Sequence, residues 1–359
     1  MVKLEKNLNV NEEKTMKFAD ICKIKKEIRM GFIGGSITED DKYRSHVVKY
    51  LSEKYPDNIF TEIKGGVSGT PSYLGVHRID RDIISEKPDI VFIEFSVNDY
   101  SDLRGLFERS MEGMIRKILK NEPTTLIAVI GTGSSVYLTE SYFKGKVPEM
   151  VTAHKNISLY YNIPYINVGK AFSDYILRSE ANIETYLPDG IHPNHEGGKI
   201  YADEITNYLD NYDWNIDFKS EPMTHKNLEN ATLFMAENYI SSPWKLSDKD
   251  MMGKNLNFIY SDEVGACLEL DFYGSVFGLY CTFDSDSGDL EYRVDDGKWK
   301  KVSLWDNFCL SFNRVNCSIL ETELEQTKHR IIMKISDIKN EKSKGNAIRI
   351  GAFLWENEI

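Results

Sequence analysis

The chain of 359 residues has only five cysteines, at positions 22, 267, 281, 309 and 317, and no C-x-x-C pair. An odd count without paired spacing argues against a zinc knuckle or a complete disulfide framework and points to a reducing compartment. Phosphate-binding loops are missing too: neither G-x-x-x-x-G-K-[ST] nor G-x-G-x-x-G occurs. No serine sits in G-x-S-x-G, which disfavours the nucleophile elbow of the α/β-hydrolases. The first thirty residues hold no apolar run of signal-peptide or membrane-span length, so the chain as written is expected to be cytoplasmic. Positive charge is in deficit, with 44 basic against 56 acidic residues and a net charge of -12. Such a surface repels nucleic acid and anionic membranes, so neither is expected as a partner and an uncharged substrate fits better.

What is present is a well-packed globular composition, 41% hydrophobic and 12% aromatic. From residue 29 to about 210, short apolar runs such as "MGFIG" and "DIVFIEF" alternate with amphipathic ones such as "LRGLFERSMEGMIRKILKN". This alternation predicts a parallel sheet covered by helices on both faces. All five tryptophans lie at or beyond Trp214, where strand-like runs such as "ACLELDFYG" and "HRIIMKIS" replace the helical period. Asp296-Gly297 between two of these runs is a hairpin signal. The expected organisation is an N-terminal extension (1–28), an α/β domain (29–214), and a linker followed by a β-sandwich (215–359).

In open parallel sheets the chemistry gathers where the strands' carboxyl ends enter their loops. The expected exits here are "GGSIT" with Ser36, "GGVSGT" with Gly69, "SVND" with Asn98, and after the last strand and its helix "LPDGIHPNH" with Asp189 and His192. Together they hold what acyl transfer requires: a hydroxyl nucleophile, an imidazole base, a carboxylate to orient it, and neutral donors for an oxyanion. Each block alone has a bland reading as a cap, a turn or a strand terminator. Their joint occurrence does not. His195 is read as a residue at a helix start and His77 as a packed histidine, since no third ligand is spaced to make a metal site. The 133–145 run "GSSVYLTESYFKG" is read as a long rim loop whose Tyr137, Tyr142 and Phe143 either line the substrate site or pack on themselves.

Through "GGSIT", "VSGT", "SVND" and "DGIH", in that order, residues 29 to 210 resemble the SGNH (GDSL-like) hydrolases, in particular the bacterial carbohydrate-esterase-like branch. The resemblance implies a flavodoxin-like three-layer α/β/α fold with strand order 2-1-3-4-5. It also implies Ser36 as nucleophile, His192 as base and Asp189 as its orienter, with an oxyanion hole from the Ser36 backbone, Gly69 and Asn98. Such chemistry needs no metal or organic cofactor. Two positions depart from the family pattern: Gly35 stands where an Asp usually precedes the serine, and Ser96 stands where a Gly is preferred, which is expected to narrow the site beside Asn98. The C-terminal sandwich resembles the jelly-roll modules attached to carbohydrate esterases. The leading expectation is a serine esterase that removes O-acetyl or other small acyl groups from a glycan. Acyl transfer to a sugar hydroxyl, a lipase or thioesterase, and a glycan-binding protein with a decayed site stay open as alternatives.

Overall fold

The computed structural model describes residues 15–215, 219–247 and 256–358, which fall into two compact units divided between Glu229 and Asn230. In the first unit β1 (Glu27–Gly34), β2 (Ile59–Gly66), β3 (Ile90–Glu94), β4 (Leu126–Ile130) and β5 (Tyr165–Ile166) pair as a parallel sheet in the order 2-1-3-4-5. Every residue of β3 and β4 is buried, because helices cover both faces, and this is why the two strands read as unbroken apolar runs. On one face α1 (Lys42–Lys54), α5 (Val168–Ser179) and α6 (His195–Asn211) pack together. On the other lie α2 (Ser72–Asp82), α3 (Arg104–Asn121) and α4 (Glu149–Tyr160). Phe32 of β1 stacks on Phe92 of β3 at 4.9 Å, within a core that includes Val47, Leu51, Tyr201 and Ile205. The strand order reverses between β1 and β3, so the chain leaves these neighbours toward opposite sides and opens a crevice at their carboxyl ends.

The first unit extends beyond its expected limits at both ends. The helix Phe18–Ile24 buries Phe18, Ile21 and Cys22, and Thr15–Met16 pairs antiparallel with Trp214–Asn215. What was expected as an extension is therefore part of the domain from Thr15 onward, while residues 1–14 lie outside the described residues. Residues 219–229, expected to be linker, run along α3. Arg109 Nε donates to Lys226 O at 2.7 Å and Arg116 Nη1 to Ser220 O at 2.8 Å. The buried Glu112 carboxylate accepts from Met223 N, from Thr224 N at 2.7 Å, and from the hydroxyls of Thr224 and Tyr161. Side-chain anchors of this kind leave little trace in a periodicity pattern.

The second unit is an antiparallel β-sandwich. One sheet is built on β10 (Phe277–Phe283) and β15 (Ile348–Glu356), joined by β6 (Ala231–Met235), β7 (Lys245–Leu246), β8 (Ile259–Ser261) and β13 (Arg314–Glu321). The other runs β9 (Cys267–Gly274), β14 (Thr327–Ile335), β11 (Asp289–Val294), β12 (Lys300–Ser303). The predicted hairpin at Asp296-Gly297 joins β11 to β12. Trp244, Trp305 and Trp355 are buried in this unit, whereas Trp299 is exposed beneath the cations of Arg293 and Lys334.

Glu112→Ala leaves four donors without their acceptor and is expected to cost about 3 kcal/mol. Denaturant unfolding measures that loss, and protease cutting within 219–229 should accelerate before the α/β core yields. An unchanged cutting rate would show that the segment is held by something other than Glu112.

Candidate active site

β1 ends at Gly34, and Gly35 is the N-cap of a four-residue helix, Ser36–Glu39, so the Ser36 hydroxyl stands at the strand exit. A helix this short cannot satisfy its own terminal carbonyls. The buried Arg44 does so, with Nε donating to Thr38 O at 2.8 Å and Nη2 to Glu39 O at 3.2 Å. Arg78, also buried, donates to Gly34 O at 3.1 Å and Gly65 O at 2.6 Å, and pairs with Asp82 at 2.9 Å. It thereby clamps the ends of β1 and β2 together.

Asp189 and His192 share one turn just before α6. Asp189 Oδ1 accepts from the N–H groups of Ile191 (2.9 Å) and His192 (2.8 Å), which fixes the carboxylate locally. Its Oδ2 lies 2.6 Å from His192 Nδ1, and His192 Nε2 lies 2.6 Å from Ser36 Oγ. With the Nδ1 proton donated to Asp189, Nε2 is left as an acceptor for the serine hydroxyl. The structure thus brings together the three residues whose types suggested a nucleophile, a base and an orienter. Partial burial pushes the Asp189 carboxyl up, but the hydrogen bonds from the His192 ring, His192 N and Ile191 N outweigh it and bring it down to about 2.

The other two expected residues come from the loops after β2 and β3. Gly69 has φ +70, a left-handed conformation that glycine adopts without strain. Its loop is tied to the Ser36 helix by Glu39, whose Oε2 accepts from Ser68 N at 2.7 Å and from the Ser68 hydroxyl. The Asn98 carboxamide packs on Gly35 so closely that a Cβ there would sit 2.0 Å from Asn98 Oδ1. A side chain at position 35 would therefore require the Asn98 carboxamide to shift. Asp99, buried next door, accepts from Ser72 N at the start of α2 (2.8 Å) and from His154 Nε2 of α4 (2.9 Å). It fixes the Asn98 loop to the element that follows Gly69. The sequence offered one signal for Asp99, its place in "SVND", and none for Arg78 or His154, whose importance depends on contacts distant along the chain, nor for Arg44, whose partners are carbonyls of the short helix just before it.

Ser96 does not narrow the site. It is buried, accepts from Thr132 N at 2.8 Å and donates to Thr132 O at 3.2 Å, so its hydroxyl is spent on the exit of β4. The 133–145 run folds into short turns, Ser135–Tyr137 and Leu138–Tyr142. Tyr142 is buried in the core with its hydroxyl donating to Asn167 Oδ1 at 3.0 Å, and burial raises its phenol to about 12. It is a packing residue. Phe143 packs against the same core and Tyr137 is half-buried. His195 begins α6 with its ring tilted against that of His46, centroids 4.1 Å apart, and His77 is buried with its Nδ1 bonded to Tyr73 O at 2.7 Å.

Asp189 has a depressed folded-state pKa, so its stabilising contribution is complete above the ordinary carboxylate range near 3.8 and is lost as pH falls toward about 2. A carbon-detected NMR titration of its carboxyl should give a midpoint near 2. A midpoint at the ordinary value would mean that the hydrogen bonds to His192 and Ile191 are not maintained in solution. An acid limb of activity between about pH 5 and 8 should then belong to another group.

Residues 32–200 match the model of the GDSL-like Lipase/Acylhydrolase family. A comparison with curated proteins gives no match. Among solved structures, a two-domain esterase (CEX) active on acetylated mannans, co-crystallised with mannopentaose, is similar with a TM-score of 0.79 at 20% identity, covering 95% of this chain and 94% of that chain. A second structure of a two-domain esterase (CEX) active on acetylated mannans gives 0.78 at 22% identity over the same shares. At these identities the likeness establishes the two-domain fold. The matched family model lies within the α/β domain and makes that domain similar to the GDSL-like lipases and acylhydrolases.

Proposed function

We propose that the chain is a serine esterase that removes small acyl groups, acetyl first among them, from a carbohydrate. The observation that carries this reading is the hydrogen-bonded series from Ser36 through His192 to Asp189, with both links at 2.6 Å on the carboxyl-end rim of the sheet. Ser36 Oγ attacks the ester carbonyl as its proton passes to His192 Nε2. The tetrahedral oxyanion is met by the N–H groups of Ser36 and Gly69 and by the Asn98 amide. Collapse expels the sugar oxygen, which takes the proton from His192, and leaves the acyl group esterified to Ser36. Water then gives a proton to His192 and attacks that ester, releasing the carboxylic acid and restoring the serine. Asp189 holds the imidazole in the required tautomer throughout. The substrate class of the similar two-domain esterase makes acetylated mannan the first glycan to test.

Ser36→Ala is expected to abolish turnover of p-nitrophenyl acetate, whereas Asn98→Ala should lower kcat by about 10² to 10³ with KM little changed, because the lost donor serves charge present only in the transition state. A raised KM at unchanged kcat would instead make Asn98 a ground-state binding residue. Acetyl esters should be cleaved faster than octanoyl esters, and the reverse order would favour a lipase or thioesterase. Adding a sugar acceptor separates the remaining alternative: acylated sugar appearing at the expense of acetate would mark a transferase.

A further inference from the structure

Beneath the Ser36 helix lies a carboxyl group with no part in the mechanism above. Glu94, the last residue of β3, is fully buried. Its Oε2 accepts from Thr38 Oγ1 at 3.1 Å and its Oε1 from Thr132 Oγ1 at 2.6 Å. Thr38 is two residues beyond the nucleophile and also meets Tyr43 OH of α1 at 3.1 Å. Thr132 belongs to the exit of β4 and is held from its other side by Ser96. One carboxyl therefore links the exits of three adjacent strands, β1, β3 and β4. Thr38, Thr132 and Tyr43, which carry the hydroxyls of this network, are all buried.

We propose that Glu94 is a positioning residue for the nucleophile: through Thr38 it fixes the rotation of the Ser36–Glu39 turn, and hence the direction in which Ser36 Oγ faces His192. This rests on the esterase reading. Two further observations support it. The space around the turn is already closed, since a Cβ on Gly34 would sit 2.4 Å from Thr38 Oγ1 and 2.5 Å from Glu94 O, so Thr38 has one place to go. A buried acid is also a costly way to fill volume, as burial pushes the Glu94 carboxyl up despite its two hydroxyl donors. An apolar side chain would suit mere packing better.

The test is the rate at which a fluorophosphonate labels Ser36, together with kcat and KM for p-nitrophenyl acetate, measured on the full chain and on variants shown by circular dichroism to be folded. Glu94→Leu is expected to slow labelling and lower kcat by about 10- to 100-fold with little change in KM, the signature of a misaimed nucleophile. Glu94→Gln should retain most of the rate, because an amide can pair with both threonines once one hydroxyl turns to accept. Thr38→Val, which breaks the same link from its other end, should lower labelling in the same way and serves if Glu94→Leu does not fold. A folded Glu94→Leu or Thr38→Val enzyme that labels at the wild-type rate overturns the proposal, as does a Glu94→Gln enzyme as slow as Glu94→Leu. Labelling of the unmodified chain at Ser36 is the control. If it fails, the esterase reading falls before the Glu94 assignment is reached.

Discussion

The site depends on how closely β1 can approach its neighbours at its carboxyl end. A side chain on Gly34 would collide with Thr38 and with the backbone of Glu94, and one on Gly35 would collide with Asn98. Gly66, at the end of β2, is equally constrained, since a Cβ there would lie 2.3 Å from Glu39 N. Removing three Cβ atoms lets three strand exits converge on one short helix, so that residues far apart in the chain share a space only a few atoms wide. Bulk at Gly34 or Gly66 presses on backbone, which in a close-packed interior cannot shift without moving its neighbours, whereas bulk at Gly35 displaces the Asn98 side chain.

Convergence of four loops on one rim still leaves their relative positions to be fixed. Polar fasteners supply what packing does not. Arg44 closes the carbonyl end of the Ser36 helix, Arg78 ties β1 to β2, Glu39 holds the Gly69 loop, and Asp99 joins the Asn98 loop to the start of α2. The last three of these bonds reach between separate strand exits, and the first holds the Ser36 helix to the helix that follows it. The oxyanion stabilisation proposed for this site gains most when its donors are fixed beforehand, since nothing then has to reorganise during the reaction.

What could be read from the sequence, and what could not, follows from the range of the interactions involved. The five strands of the parallel sheet and their helices were legible because burial imposes a period on consecutive residues. Asp189 and His192 were legible because one turn holds both. Gly35 was noticed as a departure, yet the group packed against it, the Asn98 carboxamide, comes from a different loop far along the chain. The inward turn of Tyr142 was invisible for the same reason: "SYF" in a rim loop reads alike whether its rings face substrate or core, and only Asn167 and the hydrophobic cluster decide it. The segment 219–229 looked like linker because its anchors, Glu112 and Arg116, lie on a helix whose own pattern is complete without them.

The exposure of the proposed base adds a constraint on the proposed reaction. His192 and Asp189 keep 36% and 56% of their side chains accessible, so water reaches the imidazole that would activate it. An exposed carboxylate has its attraction for the ring screened by solvent, which means that charge alone cannot hold the pair in register. The two backbone N–H bonds to Asp189 Oδ1 perform that task, and they operate within a single short turn whatever the surrounding dielectric. Transfer to a second sugar would require an acceptor that displaces water from beside His192. An exposed imidazole is open to water and to a sugar hydroxyl alike, and the orienting turn keeps it in register without burying the acid.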